Sequence, residues 1–405
     1  MRKQVSSLSI DEALKAFAEG KFVIITDDET RENEGDLMLL AEKATTESLG
    51  FMVRYTSGVI CVAMTEEIAR NLQLPIMVKR NQDEKRTAFT VSVDVLQGNT
   101  TGISAEERAN TVRHLSNPAA QPADFMRPGH VFPLIATEGL FNSRQGHTEA
   151  GVVMAQLVGA RPLTALSEIV MDDGSMARGD ALKNFAALHN IPIFTMQELI
   201  TYAEGKLPTA TRKQLSYSWA KLPRSEKHWE IAVHTATSGG ESAILRLGTP
   251  GRQALVRLHS ECLTGDALGS RRCDCGDQLE ESFAAIEVAG SGYIIYLRDH
   301  EGRGIGLSEK IEAYILQDQG LDTVDANIAL GHGVDEREWS DAVEILKNLD
   351  LEEIMLLTNN PIKSEALASA GMKVTIQEIR TEVHNENREY LVTKRNRMSH
   401  LLEIQ

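Results

Sequence analysis

The chain has 405 residues, of which 42% are hydrophobic, so it is long enough to form two or three domains with packed cores. Its formal net charge of −16 excludes a nucleic-acid strand as the main partner, because Lys and Arg are not in excess to neutralise phosphates. No run of about 18 apolar residues occurs, and residues 1–14 become acidic before any hydrophobic signal core. These features, with only four cysteines, predict a soluble cytoplasmic protein that binds neither nucleic acid nor membrane.

The first elements in chain order lead into an acidic loop. Residues 9–20 predict a helix that is capped by Ser9 and ended by Gly20, and residues 22–25 predict a short apolar strand. The eleven residues 26–36 that follow contain six carboxylates. A solvated loop is the commoner interpretation of such a run. Its position after a buried strand is also typical of an active-site loop, and its oxygen ligands favour a hard ion, Mg²⁺ or Mn²⁺.

A strand and two histidine segments come next. Residues 87–95 alternate in polarity, which predicts a half-buried strand with its Phe and Val side chains facing the core. Residues 127–130 and 144–149 each combine Arg, Gly and His within one turn. Together with the acidic loop they suit an anionic sugar and a metal, because Arg binds phosphate while His or Glu moves protons.

Six motifs carry a specific resemblance in this half. In chain order they are DDETRENEGDL, TAFTVSVD, TTGISAEERA, RPGHVFPL, GHTEA and EIVMDDGSMAR. Through them, residues 7–205 resemble the 3,4-dihydroxy-2-butanone 4-phosphate synthases of riboflavin biosynthesis. The resemblance implies a Mg²⁺-dependent conversion of D-ribulose 5-phosphate to 3,4-dihydroxy-2-butanone 4-phosphate and formate.

The same resemblance implies roles for individual residues. Glu32 and His147 would hold the Mg²⁺ or Mn²⁺ ion, and His130 and Glu168 stand at the family's essential catalytic positions. Ser167 stands where relatives commonly carry Cys, and we expect this difference not to matter. Cys61 lies in an apolar stretch and fits the core as well as a functional role. The residues implied to bind ribulose 5-phosphate are Arg31, Glu32, Asp36, Arg144, Gln145, Gly146, His147, Thr148 and Glu168.

Residues 204–226 interrupt the pattern of elements. They contain two Leu-Pro steps and a basic stretch within an acidic chain, which is typical of a boundary. We therefore predict two domains, residues 1–206 and residues 207–405.

A cysteine cluster organises the second half. Cys262, Cys273 and Cys275 are three of only four cysteines in the chain and fall within fourteen positions. Thiolates suit zinc, and three protein ligands leave a fourth position open, as in catalytic zinc sites. A redox or structural set of thiols is the alternative. The spacing favours the metal, because one residue separates the close pair and a third thiol stays unpaired in any disulfide scheme.

The remaining elements of this half end in a glycine-rich segment. Residues 298–307 follow an apolar strand and contain G-x-G-x-G with Arg298 and Arg303. Backbone N–H groups and guanidinium groups in such a segment favour polyphosphate binding over a dinucleotide fingerprint. The predicted strands are residues 229–233, 243–247, 254–259 and 293–297, and the predicted helix is residues 277–289.

A second family resemblance covers this half. The motifs RLHSECLTGDALGSRRCDCGDQL, YLRDHEGRGIGL, AYILQDQGLDTVDAN, DEREW, LLTNNPIK and YLVTKRNRMSHLL resemble GTP cyclohydrolase II. The resemblance implies hydrolysis of GTP to 2,5-diamino-6-ribosylamino-4(3H)-pyrimidinone 5′-phosphate, formate and pyrophosphate. It also implies zinc on the three cysteines, with water attacking C8 of guanine. Leu321 and residues 383–385 depart from some relatives, which would alter the far rim of the nucleotide site.

The GTP cyclohydrolase II resemblance also places a site. Tyr314, Asp335 and Arg337 match catalytic positions, with Asp335 as proton acceptor and Arg337 assigned as a nucleophile towards the α-phosphorus. Residue chemistry alone supports charge stabilisation by Arg337, because a guanidinium stays protonated and is a poor nucleophile. The residues implied to bind GTP are Arg257, Leu258, His259, Ser260, Glu261, Gln278, Glu301, Gly302, Arg303, Thr323, Thr358 and Lys363.

Both halves together predict an α/β protein of the α+β type, in which each of two domains is a mixed β-sheet with packed helices. The expected function is a bifunctional enzyme of riboflavin biosynthesis, present as a homodimer. One alternative is that only one half is active and the other serves for dimerisation or regulation. A second is a zinc-stabilised nucleotide sensor without turnover.

Overall fold

The computed structural model describes residues 9–27, 33–78, 81–207, 216–224, 226–236, 240–398 and 400–402. The chain divides into two compact units. At this division, the described residues of the first unit end at Leu207, and those of the second unit begin at Ser216. The boundary between residues 206 and 207 therefore stays a prediction. Among the described residues, no helix is both long and apolar enough to cross a membrane.

The first unit contains seven strands and seven α-helices among its described residues. The strands are β1 (Val23–Thr26), β2 (Gly35–Leu40), β3 (Cys61–Met64), β4 (Val93–Val95), β5 (Phe125–Ile135), β6 (Leu163–Glu168) and β7 (Ile193–Thr195). The helices are α1 (Ile10–Ala18), α2 (Thr46–Tyr55), α3 (Glu66–Asn71), α4 (Ala105–Leu115), α5 (His147–Leu157), α6 (Asp180–His189) and α7 (Met196–Ala203).

The seven strands form one mixed sheet in the order β4-β5-β3-β6-β2-β1-β7. Both of its faces are covered, since successive residues of β1 pack into different hydrophobic clusters: Ile24 lies in one, while Val23 and Ile25 lie in the other. Helices α2, α4 and α6 pack on the first face, and α1, α5 and α7 pack on the second. A strand that is covered on both sides is buried at every residue, as β2 and β3 are, and β3 is accordingly apolar throughout while β2 carries Asp36 among apolar residues.

The predicted amino-terminal helix is confirmed as α1, with Ser9 and Glu12 forming a capping box. The predicted strand over residues 87–95 is too long. Only Val93–Val95 form a strand, because the backbone N–H groups of Thr90 and Val91 bond to different partners, Pro133 and Pro75. The alternation does not hold either, since Asp94 is completely buried.

The second unit also contains seven strands among its described residues. They are β8 (Ala220–Arg224), β9 (Lys227–Thr235), β10 (Glu241–Leu247), β11 (Gln253–Ser260), β12 (Gly292–Leu297), β13 (Glu353–Leu357) and β14 (Lys373–Gln377). The described α-helices are α8 (Cys275–Ala289), α9 (Leu307–Asp318), α10 (Thr323–Ala329), α11 (Ser340–Asn348), α12 (Pro361–Ser369) and α13 (Arg388–Arg397).

These strands form a second mixed sheet in the order β14-β13-β11-β12-β10-β9-β8. The four strands and the helix predicted for this half correspond to β9, β10, β11, β12 and α8, so their existence and type are confirmed. Strands β13, β11 and β12 are parallel neighbours. Their carboxyl ends therefore meet at one edge, where ligands bind in sheets of this kind. This edge carries the cysteine cluster, the glycine-rich segment and the residues after Leu357.

Candidate functional site

Two carboxylates lie side by side on the sheet of the first unit. Asp36 on β2 is the register partner of Glu168 on β6. Paired residues on adjacent antiparallel strands point to the same face, so the two carboxylates share one environment. Asp36 is buried, and the Glu168 Oε2 atom accepts a hydrogen bond of 2.8 Å from the Ser57 hydroxyl. The predicted residues Arg31 and Glu32 lie outside the described residues.

The first residue of α5 brings an imidazole to this pair. His147 Nδ1 is 3.8 Å from Asp36 Oδ1, and its Nε2 is 3.2 Å from the carbonyl oxygen of Ile25. A carbonyl only accepts, so Nε2 carries a proton, while Nδ1 lies on the side of Asp36. An imidazole nitrogen beside carboxylates belongs to a donor set that Mg²⁺ or Mn²⁺ can use.

Arg144 lies just before α5 and is held by a carboxylate that was not predicted. Its Nη1 donates to Glu149 Oε2 at 2.7 Å, while Glu149 Oε1 accepts from the backbone N–H of Thr137 at 2.9 Å. A Cβ at Gly146 would lie 2.3 Å from Arg144 Nη1 and 2.7 Å from Glu149 Oε2, so a larger residue would displace this ion pair. The structure thus brings together Arg144, Gly146 and His147, with Thr148 buried behind them and Gln145 exposed.

His130 lies at the same edge of the sheet. His130 is two residues before Phe132 on β5, and Phe132 pairs with Cys61 on β3. Cys61 also pairs with Leu166 on β6, which is two residues before Glu168. His130 and Glu168 therefore lie at the same level of the sheet. The Nδ1 atom of His130 is 2.7 Å from Asp94 Oδ2, and its backbone N–H donates to Asp94 Oδ1 at 2.9 Å. Asp94 was not predicted as a site residue, because the alternating pattern placed it on the outer face.

Cys61 is closer to these groups than its apolar sequence context suggested. Burial, with the Glu168 and Asp36 carboxylates, raises the pKa of the Cys61 thiol well above its ordinary value. The thiol is therefore protonated and uncharged. Ser167 lies next to these groups, with its hydroxyl 2.8 Å from that of Thr56 and 3.1 Å from the Ser57 hydroxyl that bonds Glu168.

The three cysteines of the second unit converge. Their Sγ atoms all lie within 4.8 Å of one another, and those of Cys262 and Cys273 are 3.6 Å apart. A disulfide needs about 2.05 Å, whereas two thiolates on one tetrahedral zinc are separated by about 3.8 Å for Zn–S bonds of about 2.3 Å. Among the described residues, no fourth His, Cys, Asp or Glu joins this group. The sulfur donors therefore fit zinc with one position left for water or substrate.

The loop between the cysteines is shaped for close approach. A Cβ at Gly265 would lie 3.0 Å from Cys273 Sγ and 3.2 Å from Cys262 Sγ. Asp266 accepts from the backbone N–H of Cys262 at 3.0 Å and from the Tyr296 hydroxyl at 2.8 Å. The loop is thus fixed by the buried carboxylate of Asp266, to which no site role was predicted.

Lys310 provides a positive charge next to the sulfur atoms. Its Nζ is 3.1 Å from Cys262 Sγ and 2.5 Å from Glu301 Oε1. Hydrogen bonds from Cys273 and Cys275, with the Lys310 charge, hold the pKa of the Cys262 thiol far below its ordinary value. The thiolate is the form that binds a metal ion.

A cleft opens beside the cysteines. It is lined by all three thiol side chains and by most of the residues predicted for GTP. Leu258 and Asp335 are not among its lining residues, and Leu258 takes part through its carbonyl oxygen, which accepts from Lys363 Nζ at 2.7 Å. The predicted residues that line the cleft are Arg257, His259, Ser260, Glu261, Gln278, Glu301, Gly302, Arg303, Tyr314, Thr323, Arg337, Thr358 and Lys363.

Asp335 and Arg337 form a paired unit at the cleft. Arg337 Nε and Nη2 donate to the two Asp335 oxygens at 2.8 and 2.5 Å, and Nη1 donates to the Ser260 hydroxyl at 3.2 Å. Burial alone would raise the pKa of Asp335, but the Arg337 guanidinium lowers it below its ordinary value. Asp335 is therefore an ionised acceptor and Arg337 a protonated cation. Tyr314 lies closer to the cysteines, with its hydroxyl 3.1 Å from that of Thr264.

Known proteins match both units. The family model for 3,4-dihydroxy-2-butanone 4-phosphate synthase matches residues 11–202, and the model for GTP cyclohydrolase II matches residues 216–379. A crystal structure of 3,4-dihydroxy-2-butanone 4-phosphate synthase in complex with two magnesium ions is 45% identical, with a TM-score of 0.48, and covers 49% of this chain and 100% of that one.

Full-length relatives combine the two domains. The riboflavin biosynthesis protein RibBA of Salinispora arenicola is 45% identical over 408 residues, which cover 98% of this chain and 94% of that protein. A probable bifunctional riboflavin biosynthesis protein of Oryza sativa subsp. japonica, RIBA 2, chloroplastic, is 46% identical over 399 residues, 97% of this chain and 71% of that protein. The chain belongs to the bifunctional riboflavin biosynthesis proteins.

As a bifunctional riboflavin biosynthesis protein, the chain is a multifunctional enzyme that acts on small molecules. A 3,4-dihydroxy-2-butanone 4-phosphate synthase domain, a lyase, is followed by a GTP cyclohydrolase II domain, a hydrolase. The bifunctional interpretation of the sequence is thereby confirmed over a nucleotide sensor without turnover.

Several residues of the bifunctional enzyme's cleft were not predicted. They include Arg272, His300 and Lys310 near the cysteines, and Lys394 and His400 near the end of the chain. Burial lowers the pKa of His300 to about 3, so its imidazole is neutral. Arg272, His300, Lys394 and His400 fall inside motifs that carry the GTP cyclohydrolase II resemblance, but no role was predicted for them individually. The fold shows that they line one cleft together with the cysteines.

Proposed function

We propose that the first unit converts D-ribulose 5-phosphate with a Mg²⁺ or Mn²⁺ ion held by Glu32 and His147. The observation that carries this proposal is the pairing of Asp36 with Glu168 next to the Nδ1 atom of His147. The bound ion would polarise substrate oxygens and stabilise enediolate charge.

The protein groups of this unit would bind and move protons around that substrate. Arg144 is suited to the phosphate, while the turn of Gly146 and Thr148 would line the sugar. Glu168 would accept a proton from carbon, and its hydrogen bond from Ser57 keeps the carboxylate oriented. His130, fixed by Asp94, would deliver or remove a proton at the same edge of the sheet.

Formate release from ribulose 5-phosphate with Mg²⁺ tests the first unit. We expect Glu32→Ala and His147→Ala to remove activity, whereas Lys183→Ala, an exposed residue on α6, retains it. No formate from the wild type, or full activity in both variants, would overturn the assignment.

For the second unit we propose GTP as substrate, with zinc held by Cys262, Cys273 and Cys275. The convergence of three Sγ atoms beside a cleft lined with cations carries this proposal. The zinc ion, when bound, would polarise a water molecule for attack on the purine ring. Arg303 and Lys363 would bind phosphates, and Glu261 and Gln278 would bind the guanine edge.

Asp335 and Arg337 would act as a pair. Asp335 is ionised and is therefore in the form that accepts a proton, while the Arg337 guanidinium makes it a weaker base than a free carboxylate. Arg337 would stabilise negative charge at the α-phosphate, because its guanidinium is paired with a carboxylate and stays protonated. Tyr314 would contribute its hydroxyl near the sulfur atoms.

Absorbance of the pyrimidine product tests the second unit. We expect Cys273→Ser to lose GTP turnover and zinc, while ribulose phosphate turnover in the same chain persists. Simultaneous loss of both activities in a folded variant would contradict independent domains. The homodimer, the cytoplasmic location and the absence of nucleic-acid and membrane partners stay predictions, and sedimentation of the full chain tests the homodimer.

A further inference from the structure

The last described residues of the chain contain the motif YLVTKRNRMSHLL of the GTP cyclohydrolase II resemblance, but no site role was predicted for any of them. They consist of α13 and the residues that follow, up to residue 402, and are called here the C-terminal segment (residues 388–402). The family model for GTP cyclohydrolase II ends at residue 379. None of the residues predicted to bind GTP lies in this segment.

One side chain ties the C-terminal segment to the cysteine loop. Lys394 Nζ is 2.6 Å from Asp274 Oδ1, and both side chains are buried, with Lys394 8% and Asp274 0% exposed. Asp274 stands between Cys273 and Cys275, and its other oxygen accepts from Gln278 Nε2 at 2.6 Å. The Lys394 ammonium thus connects the segment to a loop that carries zinc-ligand candidates and to a predicted GTP-binding residue.

Further contacts reach the other loops of the site. The Tyr390 ring lies 5.9 Å from the Arg303 guanidinium of the glycine-rich segment. Arg397 Nη1 is 2.6 Å from Asp322, directly before Thr323. The backbone N–H of Leu401 donates to the carbonyl oxygen of Asn359, directly after Thr358, at 2.9 Å.

The segment is not held in place by an ordinary apolar face. Within α13 only Leu391 and Lys394 are buried. Its sequence REYLVTKRNR has four Lys or Arg residues and one Glu, so it brings positive charge to an acidic chain. A buried ion pair is weak evidence for stability, because desolvation offsets most of the attraction. The position of the C-terminal segment is more simply explained by the cleft that it faces.

Four residues of the segment face the nucleotide cleft: Tyr390, Lys394, Met398 and His400 line it together with the predicted GTP-binding residues. An aromatic ring, an ammonium and an imidazole are groups that bind a purine nucleotide carrying several phosphates. Burial, with the nearby Lys394 charge, lowers the pKa of His400 to about 4, so the imidazole is neutral and offers both a donor and an acceptor.

We propose that the C-terminal segment is a wall of the nucleoside triphosphate site, in which Lys394 is a positioning residue that joins this wall to the cysteine loop through Asp274. This inference rests on the proposed GTP site of the second unit. It adds to that site a part of the chain which is more than one hundred residues away from the cysteines in sequence.

Lys394→Met tests the proposal in the full-length, zinc-loaded protein, with Arg395→Met as the matched control. Arg395 is the next residue of the same helix, is exposed and bonds only to its neighbour Asn396 among the described residues. We expect Lys394→Met to raise the KM for GTP at least ~10-fold, because one partner of a buried charge pair is lost. The KM of Arg395→Met for GTP should stay within about two-fold of the wild-type value.

Two further measurements separate this role from a merely structural one. Ribulose phosphate turnover and zinc content should be unchanged in Lys394→Met. A non-hydrolysable GTP analogue should protect residues 385–389, which are exposed apart from the buried Asn387, from proteolysis in the wild type and in Arg395→Met, but much less in Lys394→Met.

The outcomes are distinguishable from failure of the GTP assignment. If the wild type neither binds the analogue nor turns over GTP, the proposed function itself is wrong. If the wild type does both and Lys394→Met has an unchanged KM and unchanged protection, the GTP site stands, but the proposal that the C-terminal segment forms part of it is wrong. Loss of zinc in Lys394→Met would also overturn the proposal, because the segment would then support the metal rather than the nucleotide.

Discussion

Asp94 shows how a single buried carboxylate can decide the state of a predicted catalytic residue. It is completely buried and accepts both the backbone N–H and the ring Nδ1–H of His130. Gly102 closes the other side, where a Cβ would lie 2.0 Å from Asp94 Oδ2 and 2.8 Å from His130 Nδ1. The imidazole is therefore held in one orientation, with Nε2 directed away from Asp94.

We expect Asp94→Asn to lower kcat for formate release about 10²-fold, with a smaller change in KM, because the amide cannot accept both hydrogen bonds and the imidazole loses its orientation. Steady-state kinetics with ribulose 5-phosphate measure both constants. Asp180→Asn, at an exposed position of α6, is the control and should retain activity. An unchanged kcat in Asp94→Asn would show that the Asp94 carboxylate does not contribute to catalysis.

The sequence could not have identified Asp94, for a physical reason. Alternation predicts the outward side of a strand only when one face is solvated, but β4 is short and the sheet of this unit is covered on both faces. The cysteines of the second unit were found because their spacing is local. The Lys394–Asp274 pair was not, because 120 residues separate its partners.

At the scale of elements, helix α4 fixes the loop that packs beside His130. The Glu107 carboxylate accepts the backbone N–H and the hydroxyl of Thr100 at 2.5 and 2.7 Å, and it completes a capping box with Ser104. These hydrogen bonds lower the pKa of Glu107 from 4.5 to about 2. The loop that contains Gly102 is thus fastened to the start of α4.

This shift makes the stability of the first unit depend on pH. A carboxylate whose folded-state pKa is depressed stabilises the fold above the unfolded value, and its contribution is lost as the pH falls from about 4.5 towards about 2. We expect Glu107→Gln to lose less stability than the wild type over that window, as measured by urea midpoints against pH. Glu106→Gln, one residue away and exposed, should keep the wild-type slope. Equal slopes for all three proteins would contradict this linkage.

The cysteine loop is the second element with a specific steric requirement. Gly265 lies so close to the sulfur atoms that a methyl group would contact both Cys262 and Cys273. We expect Gly265→Ala to weaken zinc binding about 10-fold or more, in line with other changes around the ligands of a metal. Competition with a chelator measures this affinity without reference to activity. Gly251→Ala, where a Cβ meets no atom within 4 Å, is the control, and the prediction fails if both variants hold zinc equally well.

At the scale of the whole molecule, each unit has its own sheet, its own cores and its own candidate metal donors. The first uses carboxylate and imidazole groups, and the second uses sulfur, so the two sites select different ions. The sequence allowed this division to be predicted because each half carries a full set of family motifs. Nothing in that division requires the two activities to depend on each other.

Two separate unfolding transitions should therefore appear when the full chain is heated in a calorimeter. A ligand that binds one folded unit stabilises only that unit, by about 2.7 kcal/mol at a concentration 100 times its Kd. This corresponds to a rise of about 5–10 °C in the midpoint temperature for a unit of about 200 residues.

We expect a GTP analogue to raise the midpoint of one transition, and removal of zinc with Mg²⁺ kept in excess to lower the midpoint of that same transition. The other transition should stay in place under both treatments and should move when a ribulose 5-phosphate analogue is added. A single cooperative transition that moves with every ligand would show that the units unfold together, and the independence of the two activities would then have to be abandoned.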